Sequence, residues 1–486
     1  MRGREAGSAV PGSPAVQRPA YLPDDPSLTV APSGALAIDG CDVMEIIAEY
    51  GAPVWVISDS TIRSNLDDMN AAFAHHYPSV RVLYASKANM EPAVLQIVRE
   101  AGAGLDVVTA GQIHLATVAG FEPADLVFNG NSKTLAELSW AIVNGIGMIN
   151  VDSLDELDAL IEMTAEHERH VDVAFRLALD PADFEADDPI HATQLRESKF
   201  GMPRADVLVA ARRTVGSRWL SVIGVHSHLG FTAYGNVPYS HGFELDRRRR
   251  QVRQVMSLVE SLQAELGIQA TVINLGGGFR RGRPEGYGPA RLRSFAPIDQ
   301  VAQAIAEEIR SACAKQGLPL PLLMLEAGGY VVSDAVVFLA KVGFTKTIVH
   351  GDQGRDWAFL EDTSAYHFVR RLLADFYHHP LLANRPHVPP AGRITIAGAT
   401  CAEDSVATDV PFPSVVRGDV VALLDQGAYA ESISSDYCAI PLPAVVLARD
   451  GQALLIRRRT NPTELASQFF LPPPRALRPD TRPTGQ

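Results

Sequence analysis

The chain has 486 residues, 47% of them hydrophobic, and a formal net charge of −13. This composition can bury a sizeable core, and the length allows about three domains. The acidic balance argues against nucleic acid or an anionic membrane surface as the main partner, and no apolar run is long enough to span a bilayer. Four cysteines show neither metal spacing nor a disulfide framework, which predicts a reducing, cytoplasmic setting: Cys41, Cys313, Cys401 and Cys438.

Both ends of the chain are rich in turn-forming and polar residues, which predicts a disordered tail over residues 1–30 and a flexible tail over residues 466–486. Between the tails, strand-like runs alternate with amphipathic segments, as in successive βα units. The predicted strands are residues 81–87, 105–108, 125–130, 148–153, 172–179, 222–229, 270–277 and 322–327. About eight such units are typical of a (β/α)8 barrel, which we place over residues 59–335.

After residue 335 the pattern changes to short β-type runs separated by turn residues, which predicts a mostly antiparallel β domain over residues 336–465. An early run at residues 53–57, in a leading segment over residues 31–58, is expected to join that domain. The stretch 350–392 is rich in histidine, but its irregular spacing and lack of paired carboxylates favour surface or packing roles over a metal site. These histidines are His350, His367, His378, His379 and His387.

Lys87 ends the first predicted barrel strand, which places an amine on a rigid support at the mouth of the fold. A desolvated lysine there can lose its proton and form a Schiff base with an aldehyde. A lone lysine at a strand end is more often an ordinary surface charge. The residues at the other strand ends therefore decide between a surface lysine and a Schiff-base lysine. Chemistry in such barrels belongs to those ends, which here are Lys87, Asp106, Asn129, Asp152, Arg176, His228, Gly276–Gly278 and Glu326.

Three of these positions suggest an aromatic cofactor that carries a phosphate. The glycines 276–278 directly follow a strand, so that backbone N–H groups can approach an anion closely. Glu326 ends an apolar strand and needs a buried partner, which a protonated ring nitrogen or a structural salt bridge would supply. His226 and His228 point to the same side of their strand, where His228 either stacks on a ring or is a hydrogen-bonded core histidine.

Seven segments form an ordered series between about residues 35 and 450: Tyr84–Asn89, Gly104–Gly111, Ser198–Gly201, Gly224–Gly230, Asn274–Gly278, Glu326–Gly328 and Asp425–Tyr429. This series resembles the motifs of the fold-type III pyridoxal-phosphate decarboxylases, the superfamily of diaminopimelate, ornithine and arginine decarboxylases. Each segment alone is a weak signal, but seven in order are specific. The resemblance implies the barrel and β domain of that superfamily, with pyridoxal 5'-phosphate as the cofactor.

The resemblance also implies roles for matching residues around the cofactor ring. Lys87 would hold the cofactor covalently, and His228 would stack on the pyridine ring. Glu326 would pair with the ring nitrogen and keep it protonated, which makes the ring an electron sink. Asp106 and Arg176 match positions around the ring and the lysine.

Other matches concern the phosphate and the assembly. Gly276, Gly277, Gly278 and the Tyr429 hydroxyl would bind the phosphate. Cys401 matches a cysteine that the partner subunit inserts into the site, where it would protonate the substrate carbon. The resemblance therefore implies a homodimer with two shared active sites.

The chain departs from the family pattern where the family usually holds the phosphate or the far end of the substrate. Gly329 stands in place of an arginine, Phe231 in place of a serine and Ala402 in place of an acidic residue. Gln112 and Cys438 replace a glutamate and an asparagine. Because diaminopimelate recognition normally uses the missing arginine and acid, we expect a different substrate, in specialised metabolism rather than lysine biosynthesis.

Glu403 and Asp404 are the nearest carboxylates that could receive a distal amine or guanidine, and they are equally compatible with a solvated loop. The sequence thus predicts a pyridoxal-phosphate-dependent decarboxylase that acts at Cα of an amino acid or an amino-acid derivative. Two alternatives stay open. One is an enzyme of the same fold that catalyses racemisation or another Cα reaction. The other is a regulatory homologue without catalysis.

Overall fold

The computed structural model describes residues 25–230, 241–282, 295–369, 377–402 and 405–472. Its strands in chain order are β1 (Leu28–Val30), β2 (Leu36–Ile38), β3 (Cys41–Asp42), β4 (Val54–Ser58), β5 (Val80–Ala85), β6 (Gly104–Val107), β7 (Leu126–Phe128), β8 (Met148–Val151), β9 (Val171–Leu177), β10 (Leu220–Ser227), β11 (Val272–Asn274), β12 (Leu322–Ala327), β13 (Val336–His350), β14 (Gln353–Leu360), β15 (Pro380–Leu382), β16 (Gly392–Ala397), β17 (Ser405–Phe412), β18 (Val420–Leu423), β19 (Ala444–Arg449) and β20 (Gln452–Arg457).

The α-helices lie mostly between the barrel strands. They are α1 (Val43–Tyr50), α2 (Asp59–His76), α3 (Pro92–Glu100), α4 (Ala110–Val118), α5 (Leu135–Asn144), α6 (Leu154–His167), α7 (Pro189–Arg196), α8 (Arg204–Thr214), α9 (His241–Leu266), α10 (Ile298–Gln316), α11 (Gly329–Val332) and α12 (Pro462–Ala466).

Strands β5 to β12 close into a barrel in which all eight strand pairs are parallel. Its interior holds a small layer of apolar side chains, which includes Leu83, Met148 and Met324. A larger core lies between the strands and the surrounding helices. The predicted barrel is therefore confirmed, but several strands end earlier than predicted: β7 ends at Phe128, β8 at Val151 and β11 at Asn274, so the three glycines lie in the loop after β11.

Hydroxyl side chains start several helices just after the barrel strands. Thr109 accepts the N–H of Gln112 at the start of α4, and Ser153 accepts the N–H of Glu156 at the start of α6. Thr134 forms a reciprocal capping box with Glu137 at the start of α5. These caps end each loop at a defined residue, which keeps the polar side chains at the strand ends on rigid backbone.

The second domain is a sheet in the order β17-β16-β14-β13-β4-β19-β20, and β18 also pairs with β13 and β15. Most of its pairs are antiparallel, as predicted, and two are parallel: β14 with β16 and β4 with β19. The early strand β4 lies between β13 and β19. The leading segment therefore contributes a central strand to this domain before the chain enters the barrel.

A loop of the β domain returns to the rim of the barrel after β18. The N–H of Tyr429 donates to the carbonyl of Ala88 at 2.8 Å, and the Ser432 hydroxyl donates to the same oxygen at 3.1 Å. A Cβ at Gly427 would lie 1.5 Å from the carbonyl oxygen of Val332, so only glycine fits at this crossing. The loop thereby brings Tyr429 next to the strand end that carries Lys87.

The histidines between residues 350 and 392 do not converge. His367 and His378 are buried in the β domain, whereas His350 and His387 are exposed. Burial lowers the pKa of His367 and His379 to about 4. The described ranges contain no group of three side chains able to hold a metal ion.

No helix in the described part of the chain is long and apolar enough to cross a membrane.

Candidate active site

A cavity of about 1050 Å³ lies at the C-terminal ends of the barrel strands. The barrel provides most of its wall, and the β domain provides the rest through Tyr377 and the loop after β18. Predicted site residues on this wall are Lys87, Arg176, His228, Gly277, Gly278, Glu326 and Tyr429. The side chains predicted at the strand ends therefore meet around one cavity at the rim of the barrel.

Lys87 lies in a short 3-10 turn, Ser86–Ala88, directly after β5. Its Nζ forms an ion pair with the buried carboxylate of Asp106 at the end of β6. Enclosure by protein lowers the pKa of Lys87, but the charges of Asp106 and Glu326 outweigh it and raise the pKa above its usual value. The amine is therefore held as an ammonium beside Asp106, and not as the neutral amine that desolvation alone would favour.

Glu326, the fifth residue of β12, is buried at the floor of the cavity. Its Oε1 accepts from Nδ2 of Asn129 at 2.7 Å and from Nδ2 of Asn274 at 2.9 Å, and Nε2 of His226 lies 3.2 Å away. Burial raises the pKa of Glu326, but His226 and Lys87 outweigh it and lower the pKa below its usual range. The side chain is thus an ionised carboxylate whose donors within the described residues converge on one oxygen.

Asn129 connects Glu326 to the lysine. Its Nδ2 also donates to Oδ1 of Asp106 at 2.5 Å, and its Oδ1 accepts from Nδ2 of Asn150 at 2.7 Å. A continuous network therefore runs from Lys87 through Asp106 and Asn129 to Glu326. Burial and the charge of Glu326 raise the pKa of Asp106, so the two carboxylates are electrostatically coupled across this amide.

His228 follows the last residue of β10 and lies against the glycine loop. Its Nδ1 accepts the N–H of Gly230 at 2.8 Å, which fixes the ring. Burial and then the charge of Arg176 lower the pKa of His228 to about 3. A Cβ at Gly276 would lie 2.7 Å from Cδ2 of His228, so glycine is required for this close approach. The imidazole is therefore a neutral ring at the cavity wall.

The three glycines divide into two parts. Gly276 has a left-handed φ of +62°, its N–H donates to Oδ1 of Asn274 at 2.9 Å, and its carbonyl accepts the N–H of Glu326 at 2.8 Å. Gly276 thus forms the turn and does not border the cavity. Gly277 and Gly278 do border it, and no hydrogen bond from their N–H groups to another described residue is observed. These two residues are the part of the loop available to an anion.

Arg248 supports the glycine loop from behind. It belongs to a run of four arginines, residues 247–250, but it is buried within α9. Its Nη2 donates to the carbonyl of Gly277 at 2.8 Å, and its guanidinium lies 4.2 Å from the ring centroid of Phe279. A run of arginines in a helix usually lies on a solvated face. The sequence therefore contains no local pattern that would identify Arg248 as a buried support of the glycine loop.

Arg176, in β9, borders the cavity and contacts a segment of the predicted motif series. Its Nη1 is 3.5 Å from Oδ2 of Asp152, and its guanidinium lies 4.4 Å from the ring centroid of Phe200. Oδ1 of Asp152 accepts the N–H of Gly201 at 2.9 Å. Asp152 therefore holds both Arg176 and the Phe200–Gly201 turn at the rim.

Cys401 does not border the cavity of its own chain. It is an exposed residue in the loop after β16, and its Sγ lies 3.5 Å from Oη of Tyr437. Glu403, Asp404 and Phe231 lie outside the described residues. The site within one chain therefore contains the predicted cofactor residues but not the predicted cysteine.

The cavity suits pyridoxal phosphate by its chemistry. Lys87 offers an amine for the aldehyde, and ionised Glu326 offers a partner for a protonated ring nitrogen. Neutral His228 provides a flat surface for the ring. Gly277 and Gly278 offer backbone N–H groups to a phosphate, and Tyr429 lies on the same cavity wall.

Family comparisons agree with this chemistry. Residues 60–333 match the model described as the pyridoxal binding domain of pyridoxal-dependent decarboxylases, and residues 329–427 match the model of the C-terminal sheet domain. The chain belongs to the pyridoxal-dependent decarboxylase family. It is thus a pyridoxal-phosphate-dependent carboxy-lyase that acts on an amino acid.

Individual relatives of this decarboxylase cover nearly its whole length. A diaminopimelate decarboxylase from Methanothermobacter thermautotrophicus is 32% identical over 441 residues, which cover 90% of this chain and 96% of the relative. One from Archaeoglobus fulgidus is 31% identical and covers 90% and 98%. The crystal structure of the diaminopimelate decarboxylase from Methanocaldococcus jannaschii has a TM-score of 0.79 at 28% identity and covers 92% of this chain and 98% of that one.

The predictions of a decarboxylase and of pyridoxal phosphate as its cofactor are therefore confirmed. Several polar residues of the decarboxylase site were not assigned a role from the sequence. Asn129 was identified as a strand end only, and His226 only as a neighbour of His228. Asn274 precedes the glycines by two positions, and this spacing is the signal that could have placed its side chain on the inner face of the barrel.

Proposed function

We propose that this enzyme removes the Cα carboxylate of an amino acid whose distal group is bound differently from that of diaminopimelate. The observation that carries the proposal is Gly329, which borders the cavity where the family usually has an arginine. A Cβ at Gly329 would meet Oγ of Ser333 at 3.4 Å and Cβ of Ala428 at 4.0 Å. The side-chain atoms nearest to this position are therefore a hydroxyl and a methyl group, and not a cation.

Pyridoxal phosphate, when bound, supplies an aldehyde for the substrate amine and a protonated ring that accepts the electron pair of the broken bond. Lys87 would hold the aldehyde through its amine, and the buried carboxylate of Asp106 would hold a proton on that amine when it is free. Glu326 keeps the ring nitrogen protonated through its ionised carboxylate. Asn129 keeps the two acids at fixed positions, because it donates to both.

Binding and orientation come from the rest of the wall. His228, held neutral by burial and by Arg176, would stack on the ring without adding a positive charge that would repel the protonated ring. Gly277, Gly278 and the Tyr429 hydroxyl would bind the phosphate; all three residues line the cavity. Because Gly276 uses its N–H within the turn, it acts by shape and does not donate to the phosphate.

The proton that replaces the carboxylate at Cα comes from Cys401 of a second subunit. This proposal is supported by the position of Cys401, which is exposed on the β domain and absent from the cavity wall of its own chain. A thiol that serves the site must then reach the cavity of another copy, as in a homodimer with two shared sites. Such a general acid contributes about 10²–10⁴-fold to the rate of the step it serves.

A second candidate substrate is diaminopimelate itself. The named relatives favour it, because the proteins from Methanothermobacter thermautotrophicus and Archaeoglobus fulgidus are both diaminopimelate decarboxylases. The cavity also has Arg280 and Arg281 on its wall. Arg281 already contacts Asn65, Asp68 at 3.1 Å and Asp334 at 3.5 Å, so its charge is largely compensated by acidic neighbours.

Carbon dioxide release from purified enzyme decides between the candidates. The panel is meso-diaminopimelate, ornithine, lysine, arginine and larger amino-acid conjugates, each measured as kcat/KM. We expect poor turnover of diaminopimelate relative to at least one other substrate. A kcat/KM for diaminopimelate of about 10⁴ M⁻¹s⁻¹ or more, as the best substrate, would establish the second candidate.

A substitution at residue 329 sharpens the test. Gly329→Arg restores the family's cation at a position where a side chain meets only ordinary contacts. It should raise the kcat/KM of diaminopimelate relative to the other substrates, because a distal carboxylate would gain a charged partner. Gly329→Gln is the matched control, with similar length and no charge. An equal effect of both variants would contradict the role given to the missing arginine.

A further inference from the structure

The segment that follows the glycine loop stays on the cavity wall. Phe279, Arg280 and Arg281 come directly after Gly277 and Gly278, and all five residues line the cavity. Backbone N–H groups are neutral donors, whereas a phosphate group carries a charge of about −1.5 to −2 at pH 7. A cation on the same segment therefore complements what the two glycines offer to a phosphate.

Contacts on both sides fix the backbone around Arg280. Phe279 is buried. Nη1 of Arg281 lies 3.1 Å from Oδ2 of Asp68 in α2, and its Nε lies 3.5 Å from Oδ2 of Asp334. Arg280 thus lies between a core residue and an anchored residue, which holds it on the cavity wall.

The same segment packs beside the position where the family's arginine is missing. The guanidinium of Arg281 lies 5.6 Å from the ring centroid of Tyr330, which directly follows Gly329 in α11. Gly329 also borders the cavity. The chain therefore lacks the family's cation at the start of α11 and has two cations on the segment that contacts α11.

The contacts of these two arginines differ. Arg281 is paired with Asp68 and Asp334, so its charge is directed to acids. The guanidinium of Arg280 lies 5.3 Å from the ring centroid of Phe295, which is buried and also lines the cavity. An aromatic face orients a guanidinium without cancelling its charge. Arg280 is therefore the better placed of the two to bind an anion in the cavity.

The other cationic side chains on the described part of the wall lie away from the glycine loop. Lys87 forms an ion pair with Asp106. The guanidinium of Arg176 and Nζ of Lys199 lie 4.4 Å and 5.2 Å from the ring centroid of Phe200. Arg176 belongs to β9, which β10 separates from β11 and the glycine loop. None of these three cations belongs to the segment that carries the glycines.

We propose that Arg280 binds the phosphate of pyridoxal phosphate and supplies a cation in place of the arginine missing at position 329. Its guanidinium donates to the phosphate beside the backbone N–H groups of Gly277 and Gly278, in the charge-assisted pairing that arginine and phosphate favour. The inference rests on the phosphate site of the proposed function. It does not depend on which substrate the enzyme decarboxylates.

The experiment compares two cofactor forms that differ only in the phosphate. Cofactor-loaded enzyme is dialysed to equilibrium against graded concentrations of pyridoxal phosphate or of pyridoxal, and absorbance measures the bound fraction. Arg280→Met should lower the affinity for pyridoxal phosphate by about 10–100-fold, the usual effect of losing a hydrogen bond to a charged group. Its affinity for pyridoxal should equal that of the wild type. Arg280→Lys, which keeps the charge, should retain most of the affinity for pyridoxal phosphate.

Arg212→Met is the matched control, because Arg212 is an exposed arginine of α8 that pairs with Glu265. It should bind both cofactor forms as the wild type does. Arg280→Gln is the second neutral variant if Arg280→Met fails to fold. Unchanged affinity of the neutral variants for pyridoxal phosphate overturns the proposal, also where the KM of the substrate rises, since the cation would then serve the substrate. An equal loss of affinity for both cofactor forms overturns it as well, since Arg280 would then only support the wall.

Tyr429→Phe separates this proposal from the phosphate site on which it rests. A selective loss of pyridoxal phosphate in Tyr429→Phe, without one in Arg280→Met, would keep the phosphate site and remove Arg280 from it. Absence of a selective loss in both variants would remove the phosphate site itself, and the role of Arg280 with it.

Discussion

Nδ2 of Asn129 lies 2.7 Å from Oε1 of Glu326, and the same nitrogen donates to Asp106. One amide thereby holds the acid at the floor of the cavity and the acid that pairs with Lys87. Both acids are buried, so their hydrogen bonds are in a low-dielectric setting where loss of a donor is costly. The Asn129 amide therefore connects the Lys87–Asp106 ion pair with Glu326.

Asn129→Ala should therefore weaken the binding of pyridoxal phosphate. Glu326 and Asp106 each lose a donor, and a hydrogen bond to a charged group contributes about 1.5–3 kcal/mol, so we expect cofactor affinity to fall by about 10–100-fold. Fluorescence or absorbance titration of the apoenzyme with pyridoxal phosphate measures this change. Asn144→Ala, at the exposed end of α5, is the control and should bind normally. Unchanged affinity in Asn129→Ala would show that the amide does not support the site.

Subunit mixing tests the shared site. Lys87→Ala and Cys401→Ala should each be inactive, the first for lack of the cofactor linkage and the second for lack of the Cα proton donor. If Cys401 serves the cavity of the other subunit, a heterodimer of the two variants contains one intact site and regains turnover. Mass spectrometry under native conditions verifies exchange. Exchange without recovery of activity contradicts the shared site.

Two buried acids and one arginine give a pH-dependent link between the domains. Nη1 of Arg457 lies 2.8 Å from Oε1 of Glu91 and also contacts Glu431. Burial and the neighbouring Glu431 raise the pKa of Glu91 to about 7. Because the folded state holds this proton more tightly than the unfolded state, its contribution to stability is present at low pH and is lost as the pH rises from about 4.5 to about 7.

Glu91→Gln should remove this dependence. The stability of the wild type relative to Glu91→Gln is expected to fall by at most about 3 kcal/mol between about pH 5 and about pH 8. Urea unfolding of both proteins across this range measures the difference. Glu464→Gln, at the more exposed pair with Arg458, is the matched control and should show a small effect. A difference that stays constant with pH would exclude titration of Glu91.

The fold was predictable because its signals are local and repeated. All but one of the predicted barrel strands end at or near a polar residue, and Lys87, Asp106, His228 and Glu326 were located on this basis. The roles of Asn129 and Asn274 were not predictable, since a buried amide gains its meaning from partners far away in the chain. The three glycines were interpreted together as a phosphate-binding loop. Gly276 instead forms the turn, where a Cβ would clash with His228.

Cys401 illustrates a further limit. The motif around it indicates a catalytic thiol, but its position on the β domain, and its contact with Tyr437, depend on the pairing of β16 with β14 and β17. Contacts between distant segments depend on sheet topology, which short sequence patterns do not encode.

Borohydride reduction of the cofactor-loaded enzyme, followed by peptide mapping, tests the assignment of the site most directly. We predict that the reduced cofactor is attached to Lys87, and that Lys315→Ala, which removes an exposed lysine of α10, is labelled as the wild type is. Lys87→Ala should give no label at this peptide. Attachment to another lysine of the wild type, or a loaded enzyme without any attached cofactor, would contradict the assignment of Lys87 as the cofactor-binding residue.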